Sequence, residues 1–376
     1  MAMREPLLTT SDAMEPPASR SVLRRVGGFV VRAARRARKQ ATRRLKGLGE
    51  VSRQARRAQK DLYFWARQNP GGQLVLETAA WMRAPGDRLQ RTRAASVYIS
   101  SHPQGGLDPS RGYEIVSFDR IPEFAPVLAT CRRVFEDKRV ESRPDGFESW
   151  PADRQAKFLS RKQSFFRYLL TDEDLRQHPE LVEFALGDRT LGAATRYLGM
   201  VPYLSHVDLV YSLPRPGGNI DSQLFHLDPE GLRQVKFFIQ IFDVGEPQGP
   251  FSFLPADTTA RVLHDVAAWR KQRGAPASRR YSDEEVAAVG GDRALVTVQG
   301  PAGTAIAIDT SRCLHLGSRV APGAFRLMLY LQYCTTREQT NAYDVSRFSG
   351  DEMRRLAICH SIEPGRARFD AYHVAR

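Results

Sequence analysis

Residues 223–255 limit the fold more than any other stretch. They hold the triplet His226-Leu227-Asp228, a strand-like run over 235–242, a polar turn with Gly249-Pro250, and a second strand over 251–254. A His and a carboxylate two apart, entering a strand, can meet one metal ion from one side. Along 235–242 the side chains form two sets. Lys236, Phe238 and Gln240 share one face, and Phe237, Ile239 and Ile241 share the other. Polar residues on the first face fit either a wet cavity or a solvent face. A third metal ligand must come from elsewhere, and His315 is the best placed, behind the strand expected at 304–308. Two His and one Asp that leave open positions suit non-haem Fe(II) used with O₂.

The chain contains a second triplet, His206-Val207-Asp208, inside an apolar strand pattern over 203–213. With eight His in 376 residues, one chance repeat is unsurprising. His206 reads as a partly buried strand histidine with a hydrogen-bonded ring. The strand, turn, His315 and Arg326 downstream favour His226 and Asp228.

Further motifs surround His226-Leu227-Asp228. Pro216-Gly217-Gly218 precedes it, Asp243 ends the strand after it, and Arg326 stands eleven residues beyond His315. Together these resemble the phytanoyl-CoA dioxygenase family of Fe(II)/2-oxoglutarate oxygenases over residues 203–333. The resemblance implies a double-stranded β-helix, a jelly-roll or cupin-like barrel, preceded by helices. It implies that His226, Asp228 and His315 hold Fe(II) and serve catalysis, and that 2-oxoglutarate takes two metal positions and O₂ the last. Arg326 would pair with the cosubstrate's distal carboxylate, where a planar fork gives bidentate geometry. Gln223, Lys236 and Phe238 are placed with Arg326 around the cosubstrate. The implied reaction hydroxylates a substrate while 2-oxoglutarate becomes succinate and CO₂, with ascorbate as a stimulant. Because Asp228 is retained, the related halogenase chemistry is not expected.

Two departures lie near the substrate side. Pro255-Ala256-Asp257-Thr258 stands where the family often reads Pro-Gly-Ser-His, and Ser318-Arg319-Val320 where an Asn is common. Nothing else in the chain argues for a CoA ester.

Charge is divided unevenly. Of 56 bases and 42 acids, fifteen bases and one acid, Glu50, fall in 20–60, which leaves 41 of each elsewhere. The net +14 therefore belongs to one N-terminal segment, and the remainder is neutral. Within that segment Val22, Val26, Val30, Ala33, Ala37, Ala41, Leu45 and Leu48 recur at mostly helical spacing, interrupted by Gly27-Gly28. A basic amphipathic helix can lie on an anionic membrane, follow nucleic-acid phosphate, or simply be solvated. Its stripe is mostly Ala, which makes deep membrane burial weak. The first nineteen residues read as disordered. No long apolar run suggests a secretory signal or a membrane span. The four cysteines, Cys131, Cys313, Cys334 and Cys359, form no CxxC pair, which fits a reducing, cytoplasmic setting. Cys313 would share a face with His315 if both lay on one strand; a small apolar filler is the competing role.

Asn69-Pro70-Gly71-Gly72 reads as a boundary, which divides a basic tail, 1–68, from a catalytic domain, 69–376, with its barrel over 200–336. Helices are expected at 73–83, 122–136, 160–170 and 181–198, and strands at 95–100, 203–213, 304–308 and 325–335. An insertion over 257–298, with helical segments, could be a substrate lid or a structural cap.

The expected function is Fe(II)/2-oxoglutarate-dependent hydroxylation of a small molecule or lipid, in the cytoplasm or at a membrane periphery. The competing class is a non-catalytic cupin-like binding module tethered by the tail to a membrane or nucleic acid. An oxygenase acting on nucleic acid is disfavoured by the neutral catalytic half.

Overall fold

Alternating apolar patterns in the C-terminal half become two antiparallel sheets. The structure is a computed structural model that describes residues 70–103, 105–138, 146–336, 341, 343–348 and 350–358. The tail 1–68, its charged stripe and Cys359 lie outside the described residues. The chain divides into two units after Trp65, and every described residue belongs to the second, Ala66–Arg376.

Two helices lead, α1 (Pro70–Arg83) and α2 (Pro85–Ser101), followed by β1 (Tyr113–Ser117) and α3 (Phe124–Lys138). Next come α4 (Ala152–Leu159), β2 (Phe166–Tyr168), α5 (Asp172–Gln177), α6 (Pro179–Ala185) and α7 (Ala193–Leu198). The barrel region holds β3 (Tyr203–Ser212), β4 (Gln234–Gln240) and β5 (Phe251–Phe253). Helices α8 (Ala256–Gln272) and α9 (Asp283–Ala287) interrupt it before β6 (Val296–Val298), β7 (Thr304–Ile308), β8 (His315–Leu316) and β9 (Arg326–Cys334). The last element is α10 (Glu352–Ile358).

The large sheet runs β1-β7-β4-β9-β3-β2 and the small one β6-β5-β8. All pairs are antiparallel. The fold is thus the expected double-stranded β-helix, with helices on one side.

Each strand's period of two sorts its side chains. Val207, Leu209 and Tyr211, Phe237 and Ile239, and Leu327, Leu329 and Leu331 pack outward against Phe124, Val127, Phe135 and Leu181 of the helical layer. Phe135 joins Tyr211, Phe242 and Phe325 at ring separations of 5.1, 5.8 and 5.2 Å. Truncating such a fully buried ring costs about 3–5 kcal/mol, so the helices are part of the barrel's stability. The other face meets the small sheet, where Ile306 and Ile308 pack on Phe251, Phe253 and Val298. Register sets a polar row on this inner face: Ser212 lies opposite Arg326, Asp208 opposite Tyr330, and Lys236 opposite Gln332.

Several expectations change. Residues 95–100 are the end of α2, whose buried face is Arg88, Arg91 and Ala95. Arg91 is fully buried, paired with Asp87 at 3.0 Å and stacked 3.6 Å over Tyr203. Within 160–170 a short turn leads into β2, not a helix, because Phe166–Tyr168 pairs with β3. Pro70, within the boundary expected at 69–72, begins α1, where its missing N–H costs nothing. The insertion is shorter than 257–298, since 296–298 is a barrel strand. Both faces of β4 are buried, so Lys236 and Gln240 face the interior, not solvent. No helix among the described residues is long and apolar enough to cross a membrane.

Candidate metal and cosubstrate site

Between β3 and β4 the chain leaves the sheet, and His226 pairs with the residue expected as its partner. His226 N–H donates to the His315 carbonyl at 2.9 Å, and His315 N–H donates to the His226 carbonyl at 3.0 Å. The Asp228 N–H reaches the Thr310 carbonyl at 2.9 Å, which ties the triplet to the loop before β8. His315 itself is held because Phe253 of β5 lies opposite it. His226, Asp228 and His315 thus present ligand atoms within 4.8 Å of one another.

Each ring is aimed. His226 Nδ1 lies 2.9 Å from the Leu224 carbonyl, and His315 Nδ1 lies 2.9 Å from the Cys313 carbonyl. A carbonyl only accepts, so each Nδ1 carries the proton and each neutral Nε2 presents a lone pair. Those lone pairs point at Asp228: Nε2 of His226 is 3.6 Å from Oδ1, and Nε2 of His315 is 3.4 Å from Oδ2. Converging lone pairs and a carboxylate form a donor set that suits a divalent ion with open positions. Burial, then the neighbouring His315, pulls the His226 imidazole well below its ordinary range, which keeps it neutral and able to ligate. Burial alone would raise the Asp228 carboxyl. The Lys236 ammonium, 2.7 Å from Oδ2, is the largest opposing influence, and the carboxyl is held well below the usual range.

Arg326 lies on the inner face of the large sheet, opposite Ser212. Its side chain is 4% exposed, and no carboxylate among the described residues pairs with it. It donates to the Gly249 carbonyl and, at 3.1 Å, to Ser318 Oγ, while its Nε finds no partner. Burial pulls its pKa down to about 10. A buried, incompletely satisfied cation is suited to pairing with an anion. Ser318 adopts φ 62°, a left-handed conformation unusual for a residue other than glycine. The Gln223 amide holds that turn by donating to the Ser318 carbonyl at 2.9 Å, and its Oε1 accepts from Ile220 N–H at 3.2 Å. Gln223 therefore touches the backbone around the pocket with both ends of its amide.

Phe238 and Lys236 lie on the same inner face, opposite Tyr330 and Gln332. Phe238 stacks on Phe251 at 4.8 Å and lies 5.4 Å from Tyr330, while Phe251 stacks on His315 at 5.4 Å. Lys236 Nζ lies 5.5 Å from the Tyr330 ring centre. Sequence reasoning missed Tyr330, Ser212 and Phe251 as pocket residues. Tyr330 and Ser212 were readable from strand alternation, four residues after Arg326 and opposite it. Ser212 Oγ meets Ser318 Oγ at 2.9 Å.

The other triplet does a different job. Asp208 Oδ1 accepts from the N–H groups of Leu169, Leu170 and Leu209 at 3.0, 2.9 and 2.7 Å. Its Oδ2 is 3.2 Å from His206 Nε2, and His206 stacks on Tyr168 at 5.1 Å. This pair fastens the end of β2 to β3. Cys313 is a filler: its Sγ lies against the Arg111 and Gly112 carbonyls at 3.5 and 3.6 Å, in the core between the sheets.

The insertion is clasped to the site loops. Phe225 and Tyr281 exchange backbone hydrogen bonds at 3.0 and 2.9 Å, Arg280 pairs with Asp221, and Arg319 pairs with Asp283 at 2.7 Å. Within it, Arg270 joins α8 to Glu285 of α9 at 2.6 Å. These are contacts of a cap that braces the His226 loop.

No known protein family and no curated protein matches the chain. Among solved structures, it is similar to EctD from S. alaskensis with 2-oxoglutarate and 5-hydroxyectoine, at 16% identity over 61% of this chain and 77% of that one, TM-score 0.38. It is similar to the epimerase SnoN from nogalamycin biosynthesis, in complex with Fe³⁺, α-ketoglutarate and nogalamycin RO. There the identity is 16% over 64% of this chain and 84% of that one, TM-score 0.38. HygX from Streptomyces hygroscopicus, with nickel and 2-oxoglutarate, is 14% identical over 60% of this chain and 84% of that one, TM-score 0.35.

Proposed function

We propose that this chain is an Fe(II)- and 2-oxoglutarate-dependent oxygenase that hydroxylates a small-molecule or lipid substrate. The observation that carries the reading is the pairing of two features in one barrel. Three convergent ligands stand at one end, and a buried arginine without a carboxylate stands at the other. His226, Asp228 and His315 would hold the metal, and Arg326 with Ser318 would hold the cosubstrate's distal carboxylate. Phe238 and Tyr330 exclude water between them. Bound iron and 2-oxoglutarate supply the oxidation of a substrate C–H bond by O₂, with succinate and CO₂ released. Gln223 fixes the Ser318 turn, and Lys236 orients Asp228.

The competing reading is a binding module without catalysis. The contact between Lys236 and Asp228 favours it, because an ammonium already neutralises the carboxylate. One experiment separates the two. Full-length protein is given Fe(II), ascorbate and 2-oxoglutarate, with and without a metabolite library, and succinate is measured. Succinate above the metal-free control, lost in Arg326→Met and His315→Ala, is the expected result. Tight Fe(II) and 2-oxoglutarate binding with no succinate under any library fraction would leave the binding module.

A further inference from the structure

Helix α1, Pro70–Arg83, turns an apolar stripe to solvent. Leu74, Val75 and Met82 are 65%, 67% and 73% exposed, and Trp81 is 40% exposed. At 100° per residue these four, with Thr78, fall within about one third of the helix circumference. Thr78 donates its hydroxyl to the Leu74 carbonyl at 2.7 Å, so its polar atom is satisfied within the helix. Gln73, Glu77 and Arg83 lie outside the stripe. Single exposed apolar residues are ordinary, but four large ones on one helical face are a docking surface.

Charge complementarity selects the occupant. The segment 20–60 carries net +14 and ends ten residues before Pro70. The nine residues between them let Lys60 and Pro70 lie at most about 35 Å apart, so the charges and the stripe can meet one surface. An anionic bilayer takes both, with phosphates against the arginines and the headgroup boundary around Leu74, Val75, Trp81 and Met82. The basic segment offers mainly alanines for insertion, and α1 supplies the large side chains it lacks. A nucleic acid would take the charge and leave the stripe in water.

We propose that α1 is the inserting element of a peripheral attachment to anionic membranes, with the basic segment as its electrostatic partner. The test is flotation of the full chain with phosphatidylcholine vesicles, with and without about 30% phosphatidylglycerol, at about 0.05 M and about 0.5 M salt. The triple variant Leu74→Gln/Val75→Gln/Met82→Gln and the single variant Trp81→Phe are compared with the parent. These side chains are exposed, and unchanged circular dichroism confirms the fold.

The expected result is salt-sensitive binding to anionic vesicles only, at least about tenfold weaker in the triple variant. Brominated lipid should quench a fluorescence component that Trp81→Phe removes. Equal partitioning of triple variant and parent, with no quenching that depends on Trp81, would overturn the proposal and leave charge alone. Binding to a homopolymeric RNA with none to vesicles would overturn it in favour of nucleic acid. A concentration-dependent dimer that the triple variant abolishes would assign the stripe to a second copy.

Discussion

Replacing Arg326 by methionine keeps the length of the side chain and removes its charge. The residue is 4% exposed, and its guanidinium has two hydrogen bonds and an unpartnered Nε. Burial lowers its pKa from the ordinary guanidinium range to about 10, which corresponds to about 3 kcal/mol disfavouring the charged form. The variant escapes that cost and gives up two hydrogen bonds worth about 1 kcal/mol each. The cofactor-free Arg326→Met protein should therefore equal the parent in stability, or exceed it by about 1 kcal/mol. Cosubstrate binding should behave oppositely. Losing a charge-assisted pair costs about 1.5–3 kcal/mol, a drop in 2-oxoglutarate affinity of about 10-fold to 150-fold.

Two measurements read these effects separately. Anaerobic calorimetry of 2-oxoglutarate into metal-loaded protein gives the affinity. Denaturant melts with and without cosubstrate give the stability, where the parent gains about 2.7 kcal/mol at a hundredfold excess over Kd. Unchanged 2-oxoglutarate affinity would refute the assignment. So would a variant destabilised by more than about 2 kcal/mol that still responds to cosubstrate, since Arg326 would then be a structural strut.

Three further outcomes are expected. His226→Ala and His315→Ala should each abolish Fe(II) binding in an anaerobic titration, whereas His206→Ala should retain it; the reverse pattern would exchange the two triplets. Because the buried His226 imidazole stays neutral while the unfolded one protonates near pH 6.5, metal-free protein should lose stability as pH falls below that value. The slope from this residue is at most about 1.4 kcal/mol per pH unit, and urea melts of parent and His226→Leu should differ in slope. Gly249 has φ 64°, and a side chain there would run into the Arg319 backbone. Gly249→Ala should cost more than about 2 kcal/mol and weaken 2-oxoglutarate binding by moving the carbonyl that Arg326 uses; an unchanged melting temperature would show that the turn has slack.

The sequence reveals most where a residue's task is local or its spacing is fixed by chemistry. His226, Asp228 and His315 converge as the strand entry and the distal His implied, and the long strands followed from alternation. Residues 95–100 misled because α2 buries arginines: a face made of Arg88, Arg91 and Ala95 does not register as an apolar stripe. Residues 160–170 misled because pairing with β3, many residues away, decides their conformation. Strands β6 and β8, at three and two residues, are too short to show any period. The strained Ser318 turn was hidden because nothing local marks a serine for positive φ; Gln223, nearly a hundred residues earlier, holds it in place.

The two His-x-Asp triplets show what a motif leaves open. Both put an imidazole and a carboxylate two residues apart, and in both the pair is within 3.6 Å. What differs is who takes the carboxylate oxygens. In the middle of β3, Asp208 Oδ1 is engaged by three backbone N–H groups, and those bonds fix the β2 corner. A metal there would have to compete with three hydrogen bonds and leave three buried donors unsatisfied. At 226–228 the backbone groups are taken by His315 and Thr310, so the side chains are left to face one another. Asp228 turns its oxygens to two imidazoles and an ammonium. The difference lies in the backbone partners supplied by residues 169–170 and 310–315, and no pattern confined to the triplet can carry it.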